Sequence, residues 1–149
     1  MYKIIIWEGC DCSGKTTLKE RYDRKFGFRD LSVDRMFISG LVYNKVKNRN
    51  ADLENQIYDD LAKFINVFDP VFVHVKSPDE VVYARFLKRG DDIMTSWQDV
   101  KDLISEYDKV FDFISSRTFI IEADGNSKVI DEELERIHGI CEERRNTKE

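Results

Sequence analysis

"GCDCSGKTT", Gly9 to Thr17, carries two overlapping patterns. Cys10-Asp11-Cys12 invites a metal or redox reading, whereas Gly9-x-x-x-x-Gly14-Lys15-Thr16 is a full G-x-x-x-x-G-K-[ST] phosphate-loop pattern. The context decides between them. The β-prone run YKIIIW (Tyr2 to Trp7) precedes the loop, and a helical stretch beginning TTLKERYDRKF follows it. In that setting the pattern has a mechanism: glycines let the backbone curl until its N–H groups converge on phosphate oxygens, and the helix N-terminus adds partial positive charge. The expected cradle is Gly9, Cys12, Ser13, Gly14, Lys15, Thr16 and Thr17. Lys15 would neutralise the β- and γ-phosphates of a nucleoside triphosphate, and the Thr16 hydroxyl would ligate Mg²⁺. A metal site at the cysteine pair needs more ligands, and Cys141, His74 and His138 have no zinc-like spacing to it.

The rest of the chain fits one soluble α/β domain spanning residues 1–149. Hydrophobic residues make up 42% and charged residues 36%, with few Gly and Pro, which describes a globular chain rather than a disordered one. No apolar run approaches the roughly 20 residues needed to cross a bilayer. The apolar stretch near the N-terminus is too short for a signal-peptide core, so no membrane partner and a cytosolic location are expected. Three scattered cysteines make no disulfide framework, which suits a reducing compartment. The net charge of −5 gives no global field for nucleic acid, so phosphate binding must rest on local basic groups.

Three further β-prone runs stand out: RDLSV (Arg29 to Val33), VFVHV (Val71 to Val75) and TFIIE (Thr118 to Glu122). Their Ile, Val and Phe density predicts strands covered on both faces, as in a parallel sheet. His74 alternates within one of them as a packed or edge residue. Helical stripes alternate with the strands: Leu53, Ile57, Leu61, Phe64 and Phe68; then Trp97, Val100, Ile104, Tyr107, Phe111 and Ile114; then Ile130, Leu134, Ile137 and Cys141. SPDE (Ser77 to Glu80) reads as a helix start with Ser77 as N-cap. The expected fold is a three-layer P-loop NTPase α/β architecture, a small mainly parallel sheet flanked by helices. Asp34 ends a strand run and so can sit at the sheet's carboxyl edge, near Mg²⁺ or its water shell, with Arg35 beside it able to reach an acceptor phosphate through two parallel hydrogen bonds; a surface ion pair is the alternative. Arg85, Lys88 and Arg89 share a helix face and, followed by Gly90, could form a cationic lid over the transferring group; a solvated basic face is the alternative. Arg144 and Arg145 read as a solvated helix end.

The loop implies a nucleoside triphosphate without naming a reaction. A GTPase switch should carry Asn-Lys-x-Asp, and the nearest string, NKVK (Asn44 to Lys47), lacks the acid. WEGCDCSGKTTL followed by VDRMFISGLVYN resembles the thymidylate kinase branch of nucleoside and nucleoside monophosphate kinases, including short phage-encoded members. DPVFVHVKSPDEVVYARFLKRGDD and IEADGNSKVIDEEL resemble that family's strand, helix and basic lid, and its adenine-side loop. The likeness touches residues 2 to about 135 in order. It implies Arg85, Asp124 and Asn126 on the adenine side, and an acceptor site made by Glu8, Asp11, Arg35, Ser39, Tyr43 and Asn44. Asp11 matches a position that holds an acceptor sugar hydroxyl; Glu8 matches the base that nucleoside kinases use on a 5′-hydroxyl.

Two departures matter. Met36 stands where an aromatic residue is usual, and only seventeen residues, Thr17 to Val33, separate the loop from Asp34. The family's thymine-reading elements normally fill that interval, so a sheet of about four strands and a more open acceptor site are expected. The resulting expectation is ATP- and Mg²⁺-dependent phosphoryl transfer to a small-molecule nucleotide, a deoxynucleoside monophosphate before others. Lys15, Asp34, Arg35, Arg85 and Arg89 would carry catalysis, and Thr16 with Asp34 would hold the metal. The alternatives are a kinase of a nucleoside or of a nucleic-acid hydroxyl (a 5′ end or modified base), and a nucleotide-binding regulatory module without catalysis. Relatives dimerise through helices, which leaves a homodimer open, and a viral chain would work in host cytoplasm. Cys10 and Cys12 read as fillers at permissive loop positions, with one role left open: converging N–H groups and Lys15 could lower a thiol pKa there, so that oxidation would block ATP.

Overall fold

The structure, a computed structural model, describes residues 3–47, 50–90, 96–114, 118–122 and 127–147. In chain order its elements are β1 (Ile4–Glu8), α1 (Lys15–Lys25), β2 (Leu31–Asp34), α2 (Phe37–Val46), α3 (Ala51–Phe68), β3 (Val71–Lys76), α4 (Asp79–Arg89), α5 (Trp97–Phe113), β4 (Thr118–Glu122) and α6 (Ser127–Asn146). The four strands form one parallel sheet in the order β2-β1-β3-β4.

Alternation along the strands builds the layers, because successive side chains leave a strand on opposite faces. Ile6 and Phe72 point to one side, into a core with Ile38, Leu61, Phe86 and Leu103 of α2 to α5. Ile5, Trp7, Val71, Val73 and Val75 point to the other, against Leu18 and Tyr22 of α1 and Leu134 and Ile137 of α6. The expected three-layer architecture is the observed one. β1 and β3 are covered on both faces; β2, at the sheet edge, is only partly covered and leaves Leu31 exposed. The chain leaves β1 toward the α1 face and leaves β3 toward the α4 face. That divergence opens a crevice beyond the carboxyl ends of the two central strands, the usual ligand site of such sheets.

Several local readings change. The stripe on α3 packs onto α2, so Leu61 is buried while Leu53 and Phe68 remain exposed. The α4 start shifts by one residue: Pro78 takes the N-cap, and the buried Ser77 hydroxyl donates to the Ser13 carbonyl at 2.7 Å. Arg145, read as solvated, is buried, with Nη2 2.6 Å from Asp30 Oδ1. Asp30 also accepts from the Tyr22 hydroxyl at 3.0 Å and the Lys3 N–H at 3.4 Å. This cluster closes the amino end of the sheet. His74 is packed in the core, its ring stacked on Phe111 at 4.0 Å, and burial lowers its pKa to about 3. No helix among the described residues is long and apolar enough to cross a membrane.

Candidate active site

The phosphate loop turns at the end of β1 because its residues permit a tight, concave path. A side chain at Gly9 would stand 2.5 Å from the Val75 carbonyl oxygen, so only glycine passes so close to β3. Cys12 (φ 64°) and Gly14 (φ 90°) take left-handed conformations, and the Ser13 N–H closes a turn onto the Cys10 carbonyl at 3.2 Å. Such alternations aim successive N–H groups into one hollow and make an anion nest. Gly14 is the α1 N-cap and brings no side-chain cap, so the first N–H groups of α1 stay open to a ligand.

Charged groups converge on this hollow. Lys15, nearly buried, places Nζ 2.5 Å from Asp34 Oδ1, and the Thr16 hydroxyl donates to Asp34 Oδ2 at 3.0 Å. Asp34 reaches them as the last residue of β2, as its strand-end position predicts. The next residue, Arg35, also lies in the left-handed region (φ 64°), and its guanidinium pairs with Asp11 in the loop. Asp11 accepts from the Tyr43 hydroxyl at 3.0 Å and lies 3.8 Å from Arg89 Nη2. The result is a cleft of about 220 Å³ lined by the loop, Arg35 and Arg89. It continues into an open lobe of about 610 Å³ between α1 and α6, where Leu18 and Ile130 supply apolar walls and Arg21 and Arg85 cationic ones. Arg85 also donates to the Cys12 carbonyl at 2.8 Å.

Most of the expected phosphate-binding and catalytic residues therefore meet at one place: Gly9 to Thr17, Asp34, Arg35, Arg85 and Arg89. Lys88 is exposed and outside both lobes. The expected acceptor set divides. Asp11, Arg35 and Tyr43 face one another, whereas Glu8, Ser39 and Asn44 are buried. Asn44 is corrected to a structural role: its amide donates to the Asn50 carbonyl at 2.9 Å and accepts the Asn50 N–H at 3.1 Å, joining α2 to α3. Both oxygens of Glu8 are engaged. Oε1 accepts from the Met36 and Ser39 N–H groups at 2.7 and 3.4 Å, and Oε2 accepts from the Ser39 hydroxyl at 2.6 Å. Burial raises the Glu8 pKa above the usual carboxyl value. Asp124 and Asn126 lie outside the described residues.

The thiol expectation is reversed at Cys10, where burial pushes the pKa up to about 12. Three contributors escaped the sequence reading. Tyr107, read only as part of a helical stripe, shares a 2.9 Å hydrogen bond with the Ser39 hydroxyl. Arg21 lies one turn after Thr17, a four-residue spacing that could have flagged it. Ser77, read as a cap, braces the loop instead.

The chain shares its fold with solved structures of a deoxyadenosine kinase and a thymidylate kinase. Its relatives are visible in structure and not in sequence: no protein-family model matches the chain, and no curated protein matches it. The YorR protein of Bacillus subtilis, solved in complex with phosphorylated GDP, superimposes with a TM-score of 0.66 at 20% identity, covering 97% of this chain and 98% of its own. Deoxyadenosine kinase from M. mycoides with bound dCTP gives 0.66 at 14% identity, covering 92% and 99%. Thymidylate kinase from Candida albicans gives 0.56 at 12%, covering 97% and 93%.

Proposed function

We propose that this protein is a small nucleoside monophosphate kinase, moving the γ-phosphoryl group of ATP to a nucleotide, with a deoxynucleoside monophosphate as the preferred acceptor. One observation carries the reading. The cleft sets two arginines from separate elements, Arg35 and Arg89, opposite a phosphate loop, while Glu8, the carboxylate a hydroxyl acceptor would use as base, is buried with both oxygens engaged. A monophosphate acceptor needs cations and no base, because its attacking oxygen is already ionised near neutral pH.

The loop N–H groups and Lys15 would hold the donor's β- and γ-phosphates, and the larger lobe its base, between Leu18, Ile130 and the Arg21 and Arg85 side chains. Lys15 would leave Asp34 for phosphate oxygens, freeing that carboxylate. The Thr16 hydroxyl and Asp34 carboxylate, hard oxygen donors bonded at 3.0 Å, fit a magnesium ion. When bound, magnesium supplies charge neutralisation on the transferring phosphates. Arg35 and Arg89 would turn from Asp11 toward the acceptor phosphate, bring its oxygen in line with the γ-phosphorus and spread the charge that develops between the two nucleotides. Two fold neighbours were solved with nucleotides, YorR with phosphorylated GDP and the deoxyadenosine kinase with dCTP, which supports a nucleotide as ligand.

A second reading, transfer to a nucleoside or nucleic-acid hydroxyl, is favoured by one feature. Asp11 is a carboxylate within the cleft and could take a hydroxyl proton once released from Arg35. The test is incubation with Mg-ATP and panels of nucleosides, monophosphates and DNA ends, followed by phosphoryl transfer. ADP and nucleoside diphosphate formed only with monophosphates is the expected result. Transfer to nucleosides or DNA ends would establish the second reading, and ATP binding without transfer would leave a regulatory module.

A further inference from the structure

We infer that Glu8 is a positioning residue: its carboxylate pins the Arg35–Met36 peptide to β1 and thereby holds Arg35 in the left-handed conformation that aims its guanidinium into the phosphate cleft. Arg35 is a long, unbranched residue at φ 64°, a conformation that needs compensation when the residue is not glycine. The compensation is visible in two consecutive N–H groups. The Arg35 N–H donates to the Trp7 carbonyl at 3.0 Å, and the Met36 N–H donates to Glu8 Oε1 at 2.7 Å. Neighbouring residues at the end of β1 thus hold both ends of the turn.

Glu8 is itself held. Its second oxygen takes the Ser39 hydroxyl at 2.6 Å, and that hydroxyl is hydrogen-bonded to Tyr107 on α5 at 2.9 Å. The same carboxylate serves α2 as a cap. The residue at that N-cap, Met36, has no side-chain acceptor, and Glu8 receives the Met36 and Ser39 N–H groups in its place. Glu8 is 0% exposed, so no acceptor hydroxyl reaches it. Its action on the reaction passes through Arg35.

The inference rests on the proposed kinase reading only for its kinetic arm. That arm compares Glu8→Ala, Glu8→Gln, Arg35→Ala and the Glu8→Ala/Arg35→Ala double variant with the monophosphate found active in the panel. Glu8→Ala should raise KM for the monophosphate by about tenfold or more while KM for ATP moves by less than about threefold. Adding it to Arg35→Ala should cost no more than about twofold, since coupled residues are not additive. Glu8→Gln keeps an acceptor for Met36 and should recover most of what Glu8→Ala loses. Full additivity, or a Glu8→Gln variant as damaged as Glu8→Ala with a lost acid limb in its pH–rate profile, would overturn the inference; the latter outcome would make Glu8 a base.

The second arm needs no substrate. The ¹⁵N signal of the Arg35 Nε, assigned by its loss in Arg35→Ala, should shift or broaden in Glu8→Ala and stay in place in Glu8→Gln. If Glu8→Ala does not fold, Ser39→Ala, which frees Oε2, should move the signal in the same direction. An Arg35 signal indifferent to these substitutions sinks the inference. One that responds in a protein inactive on every monophosphate sinks the kinase reading alone.

Discussion

The two ends of the sheet both hold charged groups in close contact, but to opposite effect. At the amino end the Asp30 side chain is wholly enclosed and meets Arg145, the Tyr22 hydroxyl and the Lys3 N–H, a network shut away from solvent. At the carboxyl end Asp34 and Arg35 each keep about a third of their side chains exposed, and their partners Lys15 and Asp11 line the cleft. The first cluster is a fastening. The second is a set of half-exposed pairs, and in the proposed function each is provisional, its cation released from the carboxylate by an arriving phosphate. Access, more than chemistry, separates the two clusters.

The largest effect should come from breaking the open end. Lys15→Met should lower kcat/KM on the order of 10⁴-fold, since one cation on a transferring phosphoryl group is worth that much. The urea midpoint should scarcely move, because Asp34 regains solvent when its partner goes. Asp30→Ala should do the reverse. It leaves Arg145 buried and under-compensated, costing about 3–5 kcal/mol in chemical denaturation. Activity per folded molecule should stay within about twofold of wild type.

His74 lies in the core between the two ends and sharpens the contrast. Its folded pKa is depressed, so below about pH 6.5 the unfolded chain binds a proton that the folded chain refuses until about pH 3. Stability contributed by neutral His74 is present above that window and is lost as pH falls through it, by at most about 1.4 kcal/mol per pH unit. Denaturation at several pH values should show this slope, and His74→Leu should flatten it. The smallest effect belongs to a pair at neither end. Glu133→Gln, which breaks the exposed 2.5 Å contact with Arg136, should change stability by less than about 0.5 kcal/mol.

What the sequence revealed follows the same division. Four strands, the loop and the placement of Asp34 were legible because local patterns encode them: dense Ile, Val and Phe, glycine spacing, a strand ending in an acid. α2 was not read as an element at all. Its stretch Phe37–Val46 includes Gly40 and Ser39, and its cap comes from Glu8, twenty-eight positions before Met36. The family resemblance implied acceptor roles for Asn44 and Ser39, but which way they face depends on how α2 packs under α3 and α5. Arg145 looked solvated because its partner Asp30 is 115 residues away. Composition shows a charge; only the fold shows whether that charge has company.

The Ser77 hydroxyl bond to the Ser13 carbonyl has a mechanical consequence. With the Arg85 bond to the Cys12 carbonyl, it ties both the start and the second half of α4 to the phosphate loop. Arg89 sits at the far end of that helix, about 15 Å along its axis. A displacement of the loop backbone is therefore passed directly to the helix that carries Arg89.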